Sequence, residues 1–327
     1  MKMKKLCAIG EALIDFIPEK KGQRLKDVVR FKRVAGGAPA NVAASVARLG
    51  GKAKFITQLG NDAFGDHIME VFQNVGLDTS DIMRTNDADT ALAFVSLASD
   101  GNRDFLFYRR DCADKNLKPE DVKEDALKDC GILHFCSVDL VESPMKESHK
   151  KLINMALSQN VLVSFDPNVR LNLWDSEENC RNAILEFLPY ADIIKISDEE
   201  LEFISGYTNI EDALDFFFKD RCQYLIYTMG KDGAAMYRKD GSKVMAGGYK
   251  VNVFDTTGAG DSFIGAFLYQ LLANDCMDLT KVSANQLESF LMFANLYAAH
   301  TTTKEGAIDA MATMEELTAF KNEVINQ

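Results

Sequence analysis

Short apolar runs alternate with longer amphipathic stretches along nearly the whole chain, and this alternation limits the fold more than any other feature. The apolar runs are continuous, as in strands covered on both faces of a parallel sheet. We predict such strands at 6–10, 53–58, 131–136, 161–166, 193–196 and 224–229. Apolar residues at helical spacing predict helices at 40–49, 64–75, 145–158, 180–188, 210–218, 261 to about 272, and 286–300. The sequence therefore predicts an α/β fold with a mainly parallel central sheet flanked by helices.

Two segments interrupt this rhythm, because residues 14–31 and 90–109 alternate apolar and polar side chains as half-buried strands do. Asp100-Gly101-Asn102, between two alternating runs, is a hairpin signal. We therefore predict a small β-sheet lid, formed by about 12–35 and 90–110 and inserted into a single domain that covers 1–327. The chain has no Pro- or Ser-rich linker, internal repeat or low-complexity tract that would indicate tandem domains.

Acidic residues outnumber basic residues by 49 to 37, which gives a formal net charge of −12. Such a surface argues against nucleic acid or an anionic membrane as the main partner, but it allows a small pocket for a phosphate. The seven cysteines form an odd set without metal-binding spacing, and the four histidines are scattered. No apolar segment approaches the ~18–20 residues of a membrane span. These features predict a cytoplasmic protein with reduced thiols.

The most informative stretch is Asp255-Thr256-Thr257-Gly258-Ala259-Gly260-Asp261-Ser262-Phe263, where a loop of small residues opens a predicted helix. The backbone amides of Gly258, Ala259, Gly260 and Asp261 would then be unpaired donors at a helix N-terminus. Free donors and the helix dipole together favour an anion, so the stretch predicts a cradle for a phosphoryl group.

Asp261, in the first turn of that helix, has two interpretations that the local sequence leaves open. It is either a helix-capping carboxylate or a general base beside the phosphate cradle. The chain has no Walker A motif. Phe263 stands where a dinucleotide fingerprint needs Gly or Ala, which disfavours an oxidoreductase.

A second glycine cluster, Gly36-Gly37-Ala38-Pro39-Ala40-Asn41, leads directly into the helix predicted at 40–49. Paired glycines allow close contact between backbone and ligand, and Pro39 suits the first turn of a helix. Alone, the cluster fits an ordinary loop-to-helix junction equally well.

Together, the two signatures resemble those of the PfkB (ribokinase-like) family of carbohydrate kinases, in the same order and at a similar separation. The resemblance extends from Gly10 to about Ala310. Within the family the chain is most similar to bacterial fructokinases, through stretches 105–109, 166–174 and 195–201. The resemblance implies a ribokinase-like fold and ATP-dependent phosphorylation of the 6-hydroxyl of D-fructose.

The resemblance implies that Asp261 is the catalytic base, with the amides of Gly258, Ala259 and Gly260 completing the anion hole. Sugar-binding residues carried over from the family are Asp15, Gly36, Gly37, Asn41, Tyr108, Arg109 and Arg170. Asp15 could otherwise be a solvated strand-end residue, and Arg109 a solvated charge on the lid.

ATP and Mg²⁺ are the implied cofactors, and the candidate nucleotide contacts are Asn168, Ser197, Glu200, Thr228, Gly230, Gly233 and Asn295. Ser197 departs from the family pattern, which has Asn there, so Glu200 alone carries over firmly, as the residue that orders Mg²⁺ through water. The alternatives are an acidic helix start for Glu200, a turn glycine for Gly233 and a packed polar residue for Asn295.

The family also implies a K⁺ site, at Asp255 and Thr257 with carbonyl groups around Thr302, Lys304 and Gly306. Oxygen ligands suit such a hard cation. Apolar residues on the lid, Leu92, Phe94 and Phe105, predict a homodimer formed through the lids. The rival activities are 2-keto-3-deoxygluconate kinase, then ribokinase or nucleoside kinase. A different class, a non-catalytic sugar or nucleotide sensor, is disfavoured because Asp261 and the glycine cradle are both present.

Overall fold

The computed structural model describes residues 3–20, 22–97 and 103–325. A nine-stranded sheet has the order β13-β12-β11-β10-β9-β8-β1-β4-β5 and a four-stranded sheet the order β3-β2-β6-β7. The strands are β1 (Lys5–Ile9), β2 (Leu13–Pro18), β3 (Phe31–Gly36), β4 (Ala53–Gly60), β5 (Asp78–Thr85), β6 (Ala91–Leu97), β7 (Arg103–Tyr108), β8 (Cys130–Cys136), β9 (Leu162–Asp166), β10 (Ile193–Ser197), β11 (Tyr224–Thr228), β12 (Ala234–Arg238) and β13 (Lys243–Ala246).

The large sheet is parallel from β5 to β11, and its two remaining pairings, β11 with β12 and β12 with β13, are antiparallel. The helices are α1 (Ala38–Arg48), α2 (Ala63–Asn74), α3 (Pro144–Ser158), α4 (Glu177–Phe187), α5 (Asp198–Ser205), α6 (Leu214–Phe217), α7 (Ala259–Ala273), α8 (Ala284–Thr302) and α9 (Met314–Ile325). The predicted α/β class, with a mostly parallel sheet and a small separate sheet, is confirmed.

Helices cover both faces of the large sheet, which explains the continuous apolar strands. On one face, α1, α2, α7, α8 and α9 pack on side chains such as Leu6 and Ala8. On the other, α3, α4, α5 and α6 pack on Cys7 and Ile9, the residues that alternate with them. Among the described residues, no helix is long and apolar enough to cross a bilayer.

The small sheet is formed by the two segments that interrupt the alternation of strands and helices. β2 pairs antiparallel with β3, β6 pairs antiparallel with β7, and β2 runs parallel to β6. β2, β6 and β7 lie in the predicted ranges 12–35 and 90–110, and β3 ends one residue beyond, at Gly36. The hairpin at Asp100-Gly101-Asn102 lies outside the described residues.

Some elements differ from the prediction. β5 was missed because this edge strand is mostly polar, and α9 was missed as well. β12 and β13 were missed although Asp240-Gly241 between them is a turn signal. The helix predicted at 210–218 is only a 3₁₀ turn, 211–213, followed by the four-residue α6.

The site is located by the strand order. From β1 the chain moves to β4 and β5 on one side, and later to β8, β9, β10 and β11 on the other. Ligands of open parallel sheets bind at the carboxyl ends of the strands where the order reverses. Here that point lies between β1 and β8.

Candidate active site

The loop before α7 presents amides to the site. Gly258 is the N-cap of α7 and has φ 73°, a left-handed conformation that glycine adopts without strain. The amide of Ala259 donates to the carbonyl of Thr256 at 3.2 Å. Within the described chain, the amides of Gly258, Gly260 and Asp261 have no acceptor, so these three are the free donors of the predicted cradle.

Asp261 is only 6% exposed, and both of its carboxylate oxygens accept hydrogen bonds from carboxamides. Asn41 Nδ2 donates to Oδ2 at 2.8 Å, and Asn168 Nδ2 donates to Oδ1 at 2.8 Å. The carboxylate therefore does not cap its own helix, which argues against the capping interpretation. Burial raises the pKa of Asp261, and the two asparagines and nearby cations oppose that rise.

Asn41 and Asn168 each keep one polar atom for a ligand. Their Oδ1 atoms are buried and accept no hydrogen bond from any described residue. Buried polar atoms without partners are costly, so these oxygens are suited to accept from hydroxyl groups of a bound molecule. The structure thus places Asn168, predicted to contact the nucleotide, against the carboxylate of Asp261.

The second glycine cluster opens α1 beside this carboxylate. Gly37 has φ 123°, and a Cβ there would lie 2.2 Å from the carbonyl oxygen of Glu11, so only glycine fits. Glu11 Oε1 accepts from the amide of Ala38, the first residue of α1, at 2.7 Å. Burial and the neighbouring Asp139 raise the pKa of Glu11 to about 8, which Arg109 opposes.

Asp15 and Gly36 lie together on the small sheet, where a Cβ on Gly36 would be 2.8 Å from Asp15 Oδ2. Asp15 pairs with Ala93, whereas Tyr108 pairs with Leu92, so Asp15 and Tyr108 project from opposite faces. Tyr108 is 61% exposed, and its ring contacts Phe94. The register therefore does not bring Tyr108 to the face of the predicted sugar site.

Arg109 is only 5% exposed, which contradicts the alternative of a solvated lid charge. Its Nη2 donates to Asp114 Oδ2 at 2.8 Å, and it also forms an ion pair with Asp139. Arg109 therefore ties the end of β7 to the loop after β8, and its charge is already shared between two carboxylates.

Arg170 and Glu200 follow neighbouring strands. Arg170 is exposed and donates through Nη1 to the carbonyl of Val169 at 2.9 Å. Glu200 accepts from the amide of Val169 at 2.7 Å and from the amide of Ser197 at 2.9 Å, which closes a capping box on α5. Burial opposes ionisation, but Lys195 and these amides hold the pKa of Glu200 below its usual range.

The remaining predicted nucleotide residues serve the turn after β11 and the strands beside it. Thr228 Oγ1 donates to the carbonyl of Ile196 at 3.3 Å, and Gly230 opens the short 3₁₀ turn that follows. Gly233 lies against the main chain of 246–248. Asn295 donates to the carbonyls of Ala246 and Gly247, at 2.9 and 3.1 Å, which supports the alternative of a packed polar residue.

The predicted cation site surrounds the loop before α7. Asp255 Oδ1 accepts from the amide and hydroxyl of Thr257, and Oδ2 accepts from the amide of Gly306 at 3.3 Å. The carbonyl of Thr302 accepts from the amides of Phe254 and Asp255 at 2.8 and 3.2 Å. Since those two bonds use both lone pairs, Thr302 is disfavoured as a cation ligand.

The sequence reasoning missed two polar residues of this region. Glu11 holds the start of α1, and Lys195 forms an ion pair with Asp166 at 2.9 Å between the ends of β10 and β9. The available signal for Lys195 was a charged residue inside an otherwise apolar strand, 193–196.

Comparison with known proteins gives a consistent result. The family model described as "pfkB family carbohydrate kinase" matches residues 3–314. Fructokinase-2 of Solanum lycopersicum is 39% identical over 318 residues, which cover 97% of this chain and 96% of that protein.

Two solved structures are also similar. A fructokinase with bound ATP from Xylella fastidiosa has a TM-score of 0.89 and 34% identity, with 98% of this chain and 99% of that chain covered. A double-mutant fructokinase from Vibrio cholerae O395, in its fructose-, ADP- and potassium-ion-bound form, has a TM-score of 0.86 and 30% identity, with 97% and 98% covered. With the two glycine loops and the clamped Asp261 in place, these matches show that the chain belongs to the pfkB family of carbohydrate kinases.

Proposed function

We propose that this protein is a fructokinase, which transfers the γ-phosphoryl group of ATP to the 6-hydroxyl of D-fructose. The observation that carries the proposal is Asp261, a buried carboxylate held by Asn41 and Asn168 beside the free amides of α7. A base next to an anion cradle is the arrangement that transfer to a hydroxyl requires.

Asp261 accepts the proton of the attacking hydroxyl, while the amides of Gly260 and Asp261 bind the oxygens of the transferring group. The two carboxamides hold the carboxylate in one orientation, so its free lone pairs face the site. Glu200 is the residue that would hold Mg²⁺ through water, and the bound ion would neutralise charge on the phosphates of ATP.

Asp15, Gly36, Gly37 and Asn41 form the proposed sugar site. Asp15 and Asn41 can bind several hydroxyl groups, and the absence of side chains on the glycines lets a sugar lie close. The Vibrio cholerae neighbour binds fructose, which supports fructose as the sugar here.

The rival substrate, 2-keto-3-deoxygluconate, carries a carboxylate that an arginine would have to bind. Arg109 is buried and already paired with Asp114 and Asp139, which leaves Arg170 as the predicted arginine with an available charge. This pairing favours a neutral sugar over the acid sugar.

The deciding experiment measures kcat/KM for fructose, 2-keto-3-deoxygluconate, ribose and adenosine with ATP and Mg²⁺. We expect fructose to have the highest value by at least about tenfold, the range that sugar-contacting hydrogen bonds provide. A higher value for the acid sugar would replace fructose with that substrate. Binding of fructose without any phosphorylation would indicate a sensor.

Potassium is proposed as an activating ion, held by Asp255, Thr257 and carbonyls near Lys304 and Gly306. The oxygen-rich loop suits a hard monovalent cation, and the Vibrio cholerae neighbour has bound potassium. Equal activity in K⁺ and in tetramethylammonium would refute this assignment.

A homodimer through the small sheet is proposed from the apolar exposure of its edge strand. Leu106 and Tyr108 on β7 are 46% and 61% exposed, and β7 lies at the edge of that sheet. A second copy would cover both side chains. Sedimentation that shows only monomer, for the native chain as for Leu106→Glu, would exclude the dimer.

The cytoplasm is the proposed location, since all seven cysteines are free thiols and reducing compartments keep them so. Fractionation of expressing cells tests this directly.

A further inference from the structure

Lys195 is a buried cation in the middle of the large sheet. It is 5% exposed and lies in β10 between Ile194 and Ile196, which are buried apolar residues. Burying an ammonium group is strongly unfavourable unless an anion compensates it. A lysine at this position therefore needs a specific reason, whereas an apolar core residue would not.

The Nζ of Lys195 lies between the end of β9 and the first turn of α7. It is 2.9 Å from Asp166 Oδ2, and a Cβ built on Gly260 would be 3.1 Å from it. Gly260 directly precedes Asp261, so the ammonium group lies against the turn that carries the base. Its position is fixed by contacts on both sides.

Several charged groups surround Asp261. From β10 it faces Lys195, and from the loop after β9 it faces Arg170. Asp166 on β9, Glu200 on α5 and the thiol of Cys136 on β8 are close enough to interact with this cluster. Three carboxylates thus share one buried cation, because Arg170 is exposed and screened by solvent.

We propose that Lys195 is a positioning residue for phosphoryl transfer, whose fixed buried charge keeps Asp261 ionised and able to accept the proton of the sugar hydroxyl. The inference rests on the proposed function, since it assigns a role within that reaction. Burial by itself raises the pKa of Asp261, and Lys195 is one of the groups that oppose this rise. The effect acts through space and requires no contact between Lys195 and substrate.

The test is the pH profile of kcat/KM for fructose in the Lys195→Met variant. Without the cation, the pKa of Asp261 rises, so the base is protonated up to a higher pH. We expect the acid limb to move upward by about one pH unit, the size of a single charge interaction in a partly screened site. At the acid end kcat/KM falls about tenfold relative to the native chain, and on the alkaline plateau the two curves approach each other.

For a second variant, Asp166→Asn, we expect the acid limb to shift in the opposite direction. The substitution removes a negative charge from the same cluster and keeps the Oδ1 that accepts from the amide of Asn168 at 3.2 Å. The acid limb should therefore move to lower pH. Opposite shifts from two variants of one ion pair cannot arise from a general loss of stability, and Asp166→Asn decides the matter if Lys195→Met does not fold.

Lys54→Met is the matched control. Lys54 is also a buried lysine in the large sheet, 8% exposed, and its Nζ is 2.7 Å from Asp81 Oδ2. It lies outside the cluster around Asp261, so its loss should lower the melting temperature without moving the acid limb.

An unmoved limb in Lys195→Met, a loss by the same factor at every pH, or an upward shift in Asp166→Asn would each overturn the proposal. The native chain is assayed first. Absence of fructose phosphorylation there would refute the proposed function, whereas an active native enzyme with unshifted variants refutes only the role of Lys195.

Discussion

Two helix N-termini meet at the site, and they differ in what occupies their first amides. At α1, the amide of Ala38 is bound by the carboxyl group of Glu11. At α7, the amides of Gly260 and Asp261 have no acceptor within the described chain. Both helices begin at a glycine-rich loop, yet only the α7 amides carry the proposed phosphoryl site.

The two helices are linked by the hydrogen bond from Asn41 of α1 to Asp261 of α7. In the proposed mechanism, the occupied N-terminus is therefore a support for Asp261, and the free one is the binding site. Both N-termini favour anions through their helix dipoles, but at α1 the chain itself supplies the partner of the first amide.

The largest expected effect comes from Asp261→Asn, which removes the base and leaves the free amides of α7 in place. Turnover should fall by about 10² to 10⁴, the usual contribution of a general base. The measurement is kcat for fructose, with nucleotide affinity and the melting temperature as checks of folding. Asp66→Asn, in the first turn of α2, is the control and should retain activity. Near-normal turnover in Asp261→Asn would remove this residue from the mechanism.

Gly37→Ala tests the N-terminus of α1, which supports Asp261 through Asn41. The new Cβ would overlap the carbonyl of Glu11 at φ 123°, so the free energy of unfolding should fall by about 2–4 kcal/mol. Chemical denaturation measures this loss. Gly50→Ala is the control, since Gly50 also has positive φ, 85°, but nothing lies within 4 Å of a Cβ there. Equal losses in the two variants would show that the contact with Glu11 is unimportant.

Asn168→Ala and Asn41→Ala separate the two hydrogen bonds that hold Asp261. Each removes a bond to a charged group, so kcat should fall by about tenfold to a hundredfold. Asn41 also belongs to the proposed sugar site, so its variant alone should raise KM for fructose. If Asn168→Ala instead raises KM for ATP and leaves kcat unchanged, the family-based assignment of Asn168 to the nucleotide is correct.

Glu11→Gln is expected to change the pH dependence of stability and not turnover. The folded pKa of Glu11 is about 8 and its ordinary value 4.5, so the folded state binds more protons between these values. The stability that Glu11 contributes is present at low pH and is lost as pH rises toward 8, by at most about 1.4 kcal/mol per pH unit. Asp139, whose pKa burial raises to about 6, adds a slope of the same sign.

Gln at position 11 cannot ionise but keeps an oxygen that can accept from Ala38. Unfolding free energies at pH 5 and pH 8 should therefore differ less in Glu11→Gln than in the native chain. An unchanged difference would mean that Glu11 is ionised in the folded protein, and that both helix N-termini meet negative charge.

Strands of the large sheet were predictable because they are covered on both faces, which makes them apolar throughout. The edge strand β5 was not, since its polar residues resemble a loop. In the site, the glycine loops and Asp261 were found from local spacing. The environment of Arg109 could not be found in this way, because Asp139 is 30 residues away in sequence and nothing local indicates the ion pair.

The sequence by itself determined the α/β class, the two glycine loops and Asp261 as the candidate base, since periodicity and short motifs are local properties of a chain. Only the tertiary structure decided what surrounds those residues. It turned Tyr108 away from Asp15, joined Arg109 to two carboxylates, and placed Lys195 against the turn of Asp261. Such contacts depend on sheet register and on segments far apart in the chain. Electrostatic interactions depend on distances in space, which the sequence does not specify.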